Sequence, residues 1–368
     1  MTTDIAVRPA GFWRSELAGS VMLVLAALVT ALVVAALIMV FSGVSMPQIG
    51  LALTSLATGS FGSPQAISET LVAATPLIIA GLGFVIGAKA GLFNVGVEGQ
   101  ILIGGMFGLV AGFSFPDLPM IVHLPLALGC AFVGGALLAG IAGWLKVASG
   151  AHEVITTIML NFIALRFVDF LLRNPPVQNP ERSDPISRFV ADTATLPKLF
   201  AWFDPSMRVN LGILLAVLVA VFVAWLLWRT TLGFEIRVMG ANQQAGRFAG
   251  MNTARTVIVA MMLSGGIAGL AGATLTQGVL GRASPDFAAG LGFEAIAVAL
   301  LARSHPVGVV FSGILFGALT AGGRRMQVAA GVSLDLITIV QAIVLLCIAA
   351  PMLIRTIYPF LFRPARES

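Results

Sequence analysis

The 368-residue chain is 58% hydrophobic and only 10% charged, with a net charge of +5. A soluble domain is about half apolar and a quarter charged, so that class is excluded, and basic cytoplasmic loops account for the positive balance without any nucleic-acid ligand. Apolar runs continuous over about 20 residues, instead of alternating in segments of about ten, exclude a β-barrel and predict an all-α, polytopic transmembrane helical bundle.

The first apolar run, 17–41, follows Arg8 and Arg14. It exceeds the apolar core of a signal peptide, about 7 to 15 residues, and reads as an uncleaved span. Residues 42–70 mix Gly, Ser, Thr and Pro and predict an interfacial segment on the outer side. Further spans at 71–88, 101–115, 121–145, 155–172, 209–228, 256–280, 287–302, 307–322 and 333–354 bring the total to about ten. Placing the N-terminus in the cytoplasm leaves more arginine and lysine inside than outside, which sets the orientation. It makes 1–16 and 355–368 cytoplasmic tails, 17–354 the transmembrane domain, 173–208 an external loop and 229–255 a cytoplasmic one.

Within the apolar frame, residues 91–100 stand out: Gly91, Phe93, Asn94, Gly96, Glu98, Gly99 and Gln100 make a poor lipid-facing helix. Backbone loosened at membrane depth persists only where protein or a water-filled cavity surrounds it, and a carboxylate there is rarely without a task. A discontinuous helix region on a solute path is therefore expected near 91–100. Gly104, Gly108 and Gly112, Gly265 with Gly269, and Gly313 with Gly317 have helix-packing spacing, which structure alone explains. Arg166 and Asp169, three apart, are expected to pair. Loop 173–208 is proline-rich and nearly charge-balanced, and serves either as a docking surface or as a connector.

Enzyme motifs are missing. Lys89, Lys146 and Lys198 follow Ala88, Leu145 and Pro197, so no phosphate-cradling Gly-Lys pair exists. His152 and Glu153 open a zinc-helix pattern, but Thr156 stands where the second histidine is required, and no metal site follows. His123 and His305 lie at span ends beside prolines, where an interfacial hydrogen bond accounts for them. Cys130 and Cys347 fall inside apolar runs and suggest no disulfide.

In the inner loop, Asn242 suits an N-cap and Gly250 the left-handed position after Ala249, which predicts a short helix with Arg247 and Phe248 on its surface. Such a helix can dock a partner or lie on phospholipid.

The stretches 91–100, 153–161, 240–250 and 293–301 together resemble, in order, permease subunits of bacterial ABC importers. The branch is that of ribose and branched-chain amino-acid permeases, closest to the general nucleoside or simple-sugar permeases. The resemblance implies a non-enzymatic transport subunit of the inner membrane with both termini cytoplasmic. It further implies ATP and Mg on a partner ATPase, a periplasmic or lipid-anchored solute-binding protein, and a second related permease chain making a heterodimer. Gly240, Arg247, Phe248 and Gly250 would form the coupling element. Phe93, Asn94, Glu98, Gln100, Phe293 and Glu294 would line the pathway, where Asn94, Glu98 and Gln100 either contact solute or hold the broken helix and Glu98 alternatively caps freed N–H groups near Gly99. A stand-alone proton-coupled transporter using Glu98 and Glu294 is the competing reading.

Overall fold

The computed structural model describes residues 10–333 and 335–349. Arg8, Arg355, Arg363, Arg366 and the tail 355–368 lie outside the described residues. Described residues form helices α1 (Ala10–Phe41), α2 (Met46–Phe61), α3 (Pro64–Lys89), α4 (Val97–Ser114), α5 (Met120–Ser149), α6 (Glu153–Leu172) and α7 (Gly212–Arg229). After these come α8 (Thr231–Ala241), α9 (Gln243–Phe248), α10 (Thr253–Leu275), α11 (Leu291–Leu301), α12 (Pro306–Ala330) and α13 (Asp335–Ala349). Among the described residues, β-structure is limited to two isolated bridges, Gln178 with Ser187 and Lys198 with Asn210.

Eight of these helices are long and apolar enough to cross a membrane, and α11 and α13 are shorter apolar helices. Every predicted apolar run falls on a helix over its described residues, 350–354 of the last run lying outside them, but two expectations change in extent. Residues 42–70, read as mixed, contain the regular helix α2 and the first turns of α3, which starts at Pro64 with the Ser63 hydroxyl accepting from Ala66 N–H at 3.1 Å. The run 287–302 holds only the 11-residue α11. At 1.5 Å per residue that is about 16 Å, half the hydrocarbon thickness.

The chain divides into two compact units, one combining the residues up to Leu56 with those from Gly323, the other Ala57–Gly322. In the first, α1 packs on α13. Its small residues explain how: Ala27, Ala31 and Ala35 recur every four positions and are buried, while Leu25, Val29, Val33 and Leu37 form the exposed stripe.

The second unit is built around α3 and α10. Helix α3 is buried almost all round from Val72 to Gly87, and α10 packs on α3, α4 and α5. The spaced glycines make this possible. A Cβ on Gly104 would run into Gly269 Cα, one on Gly135 into the Gly265 carbonyl, and one on Gly269 into the Ala131 carbonyl. Close backbone approach is how helices without a hydrophobic drive between them gain packing energy.

Candidate functional site

Helix α3 stops where the sequence predicts a break. Gly91 adopts φ +73°, Leu92 N–H donates to Gly87 O at 2.9 Å and Gly91 N–H to Ala88 O at 3.1 Å, a left-handed cap that only glycine adopts cheaply. Helix resumes at Val97, leaving residues 93–96 outside both helical ladders, where side chains bond the backbone. Asn94 and Gln100, both buried, bond each other twice: Asn94 Nδ2 donates to Gln100 Oε1 at 2.9 Å and Gln100 Nε2 to Asn94 Oδ1 at 3.0 Å. Asn94 also donates to Ser264 Oγ of α10 and accepts from Gly96 N–H. From α6, Asn161 clamps the far side, donating to Val95 O at 3.0 Å and accepting from Gly99 N–H at 2.9 Å. Every amide here is spent on the break, as buried polar groups in an apolar bundle require.

The cap for Gly99 therefore comes from Asn161, and Glu98 does something else. Its Oε1 accepts from Gly290 N–H at 3.1 Å, at the start of α11. A Cβ on Gly292 would collide with Glu98 backbone, so the two helix starts touch. Glu98 lies in the first turn of α4 as well. One carboxylate thus sits in the first turn of one helix and accepts a backbone N–H at the start of another. Residues 281–290, which lead to α11, are a second irregular segment, four residues longer than the 281–286 gap between the predicted spans. Phe287 packs on Gly105 of α4, and a π turn, Thr276–Leu280, closes α10 above it. Phe93 and Phe293 are 42% and 57% exposed, and Phe93 meets buried Phe84 edge-on at 5.2 Å. Glu294 is partly buried in the first turn of α11.

Residues 229–255 fold as two helices. Thr230 caps α8 by accepting from Gly233 N–H, and Ile236 and Met239 bury its inner face. Asn242 caps α9, its Oδ1 accepting from Gln244 and Ala245 N–H at 2.9 and 3.1 Å. Gly250, at φ +78°, ends α9 in the predicted left-handed conformation, with Met251 N–H on Gly246 O. Arg247 is exposed and Phe248 is 90% exposed. Gly240, at the end of α8, lies directly against the break: a Cβ there would strike the Lys89 carbonyl.

At the other end, loop 173–208 is bound to the bundle. Ala191 N–H donates to Gly112 O, Val190 to Gly281 O, and Leu196 to Gln277 O. His123, expected at an interface, is fully buried between Thr193 Oγ1 at 2.7 Å and Ala111 O at 3.0 Å. Asp169 pairs with Arg173 at 3.0 Å, four residues on, and not with Arg166 as the sequence suggested. In the loop, the bidentate Arg182 guanidinium holds the Asp184 carboxyl below the usual range, and the Ser206 hydroxyl and N–H do the same for Asp204. Among the described residues no cluster of His, Cys, Asp and Glu could hold a metal.

Asn161, Ser264 and the Gly91–Gly240 contact went unassigned in the sequence. Asn161 carried a usable signal, since an amide within the apolar stretch 158–165 needs a polar partner.

A bundle of membrane-length helices with a sewn-up break, a half-length helix and a protruding capped knuckle defines a multi-pass membrane transport subunit. The family described as "Branched-chain amino acid transport system / permease component" matches residues 66–349. The chain belongs to this family of ABC transporter permeases, so it is a transport subunit and not an enzyme. It is similar to a guanosine ABC transporter permease of Bacillus subtilis, 38% identical over 90% of this chain and 93% of the relative. A glucose ABC transporter permease of Haloferax volcanii is 38% identical over 81% and 78%, and a nucleoside ABC transporter permease of Lactococcus lactis 33% over 82% and 83%. No solved structure matches the chain.

Proposed function

We propose that this subunit forms one half of the translocation pathway of an ATP-driven importer for a nucleoside. The similarity to the Bacillus guanosine permease along nearly the whole of both chains carries the reading. The glucose relative makes a sugar the second candidate. Phe93 and Phe293, the exposed aromatics beside the two helix breaks, suit a planar neutral base. Asn94, Gln100 and Glu98 hold the wall behind them, and Glu294, next to Phe293 in the first turn of α11, is the second candidate carboxylate.

The other half of the pathway is a second related permease chain, as the resemblance implies. An extracytoplasmic binding protein delivers solute to the face carrying 173–208. ATP and Mg are held by a cytoplasmic ATPase. Both termini and α8–α9 lie in the cytoplasm of an inner membrane, and Arg247, Phe248 and Gly250 form the contact with the ATPase, with Gly240 at its root. The exposed Phe248 on a doubly capped short helix supports this, since an apolar ring so exposed beyond the spans fits a partner's groove.

The test is uptake of radiolabelled guanosine into proteoliposomes holding this chain, its permease partner, the ATPase and the binding protein. Uptake should require ATP, be stopped by vanadate, and be competed by nucleosides but not by glucose. Accumulation by this chain alone, abolished by a protonophore, would establish the proton-coupled reading through Glu98 and Glu294 instead.

A further inference from the structure

We propose that the groove between α7 and α12 binds an anionic phospholipid. The groove has a volume of about 610 Å³ and is walled by Val217, Val221 and Trp225 of α7 and by Val310 and Phe311 of α12, with Arg229 at its end. From Val217 to Trp228 the wall runs about 16 Å at the helical rise, which is the depth of one leaflet's hydrocarbon. It is apolar along that length and continues onto Leu214 and Leu218, 49% and 65% exposed on α7.

Charge enters only where the wall stops. Arg229 is the last residue of α7. The Trp228 ring meets the His305 ring at 5.3 Å, which brings the turn between α11 and α12 beside it. Arg303, two residues before His305, is exposed in that same turn. A guanidinium and an imidazole N–H next to an indole at a span end are the donors and the interfacial anchor that a phosphodiester headgroup meets. No carboxylate lines the groove among the described residues. A long apolar wall with cations at one end matches a molecule with apolar tails and an anionic head. A free anion has no use for the wall, and an apolar protein helix has none for Arg229. This inference needs only the membrane setting, not the solute or the coupling assignment.

The test uses the full chain in phosphatidylcholine nanodiscs containing phosphatidylglycerol with brominated acyl chains. Combining Trp13→Phe, Trp144→Phe and Trp202→Phe leaves Trp225 and Trp228 as reporters. Brominated phosphatidylglycerol should quench them at a lower mole fraction than brominated phosphatidylcholine, by about fivefold per cationic side chain engaged. Arg229→Gln with His305→Gln should abolish that preference while leaving quenching by brominated phosphatidylcholine intact, which shows that the groove is still formed. Arg229→Lys should retain most of the preference. Equal quenching by the two lipids, or a preference that survives the double substitution, would overturn the proposal. So would absence of quenching by either lipid, which would mean that a protein surface covers the groove. Loss of the preference on adding inorganic phosphate would also refute it, by assigning the basic end to a free anion.

Discussion

Gly91 and Gly240 meet backbone to backbone: a Cβ on Gly91 would lie 3.1 Å from Gly240 Cα, and one on Gly240 would strike the Lys89 carbonyl and lie 2.9 Å from Gly91 N. The contact joins the end of α3, where the helix breaks, to the end of α8, from which α9 projects. A displacement of α9 reaches residues 90–96 through one point of contact, without an intervening side chain to absorb it.

Gly240→Ala should therefore destabilise the subunit by about 1–3 kcal/mol, the usual cost of forcing atoms into a packed site. Gly91→Ala should cost about 1–2 kcal/mol for its left-handed backbone. Gly50→Ala, in α2 with open space around it, should be neutral or mildly stabilising. Thermal melting in detergent ranks the three, and equal melting points would remove the contact from the account.

Asn94→Ala leaves the Gln100 amide, Ser264 and Gly96 N–H without their bonds, at an expected cost of about 1–3 kcal/mol per buried group stranded. Gln100→Ala removes part of the same set. A double-mutant cycle should show the two losses to be strongly non-additive. Additive melting shifts would mean that the reciprocal amide pair does not hold the break.

Glu98→Gln keeps an oxygen that can accept from Gly290 N–H, whereas Glu98→Ala does not. If the carboxylate serves as a cap, guanosine uptake by the reconstituted importer should be near normal in the first and reduced in the second. Loss of uptake in both, with normal melting, would instead place the negative charge in the solute path.

Phe248→Ala should change the melting of the isolated subunit by no more than about 0.5 kcal/mol, since the ring touches little of its own chain. Transport should nevertheless fall, with ATP hydrolysis no longer stimulated by loaded binding protein. Unimpaired transport would take Phe248 out of the ATPase contact.

Asp184 is depressed by Arg182, so its contribution is present above the ordinary aspartate value of about 3.9 and is lost as pH falls through its lower folded value. Both side chains are exposed, so the effect at neutral pH is small. Amide exchange in 173–208 should accelerate only in that acid range, and Arg182→Gln should move the acceleration to higher pH. An unchanged exchange profile in that variant would refute the pairing.

The helices were legible because lipid leaves no substitute for long apolar runs, and the α9 knuckle because caps are local: Asn242 and Gly250 act within three or four residues. The break near 91–100 was visible for the same reason. What bonds to it was not, since Asn161 and Ser264 arrive from α6 and α10. Helix α2 was obscured by its Gly, Ser and Thr content, which lowers hydropathy without preventing a helix. Of segment 281–290 only the last four residues lay inside a predicted span, because irregular backbone that protein covers need not be polar. His123 looked interfacial until Thr193 arrived from a loop some 70 residues away. Arg173 outcompetes Arg166 for Asp169 at a spacing that geometry allows equally well.

The glycine contacts that bring α4, α5 and α10 together backbone to backbone have a mechanical corollary. Main chains seated directly on one another leave no layer of side chains that could repack around a bulkier residue. Any side chain larger than hydrogen at Gly104, Gly135 or Gly269 must therefore part the helices it stands between.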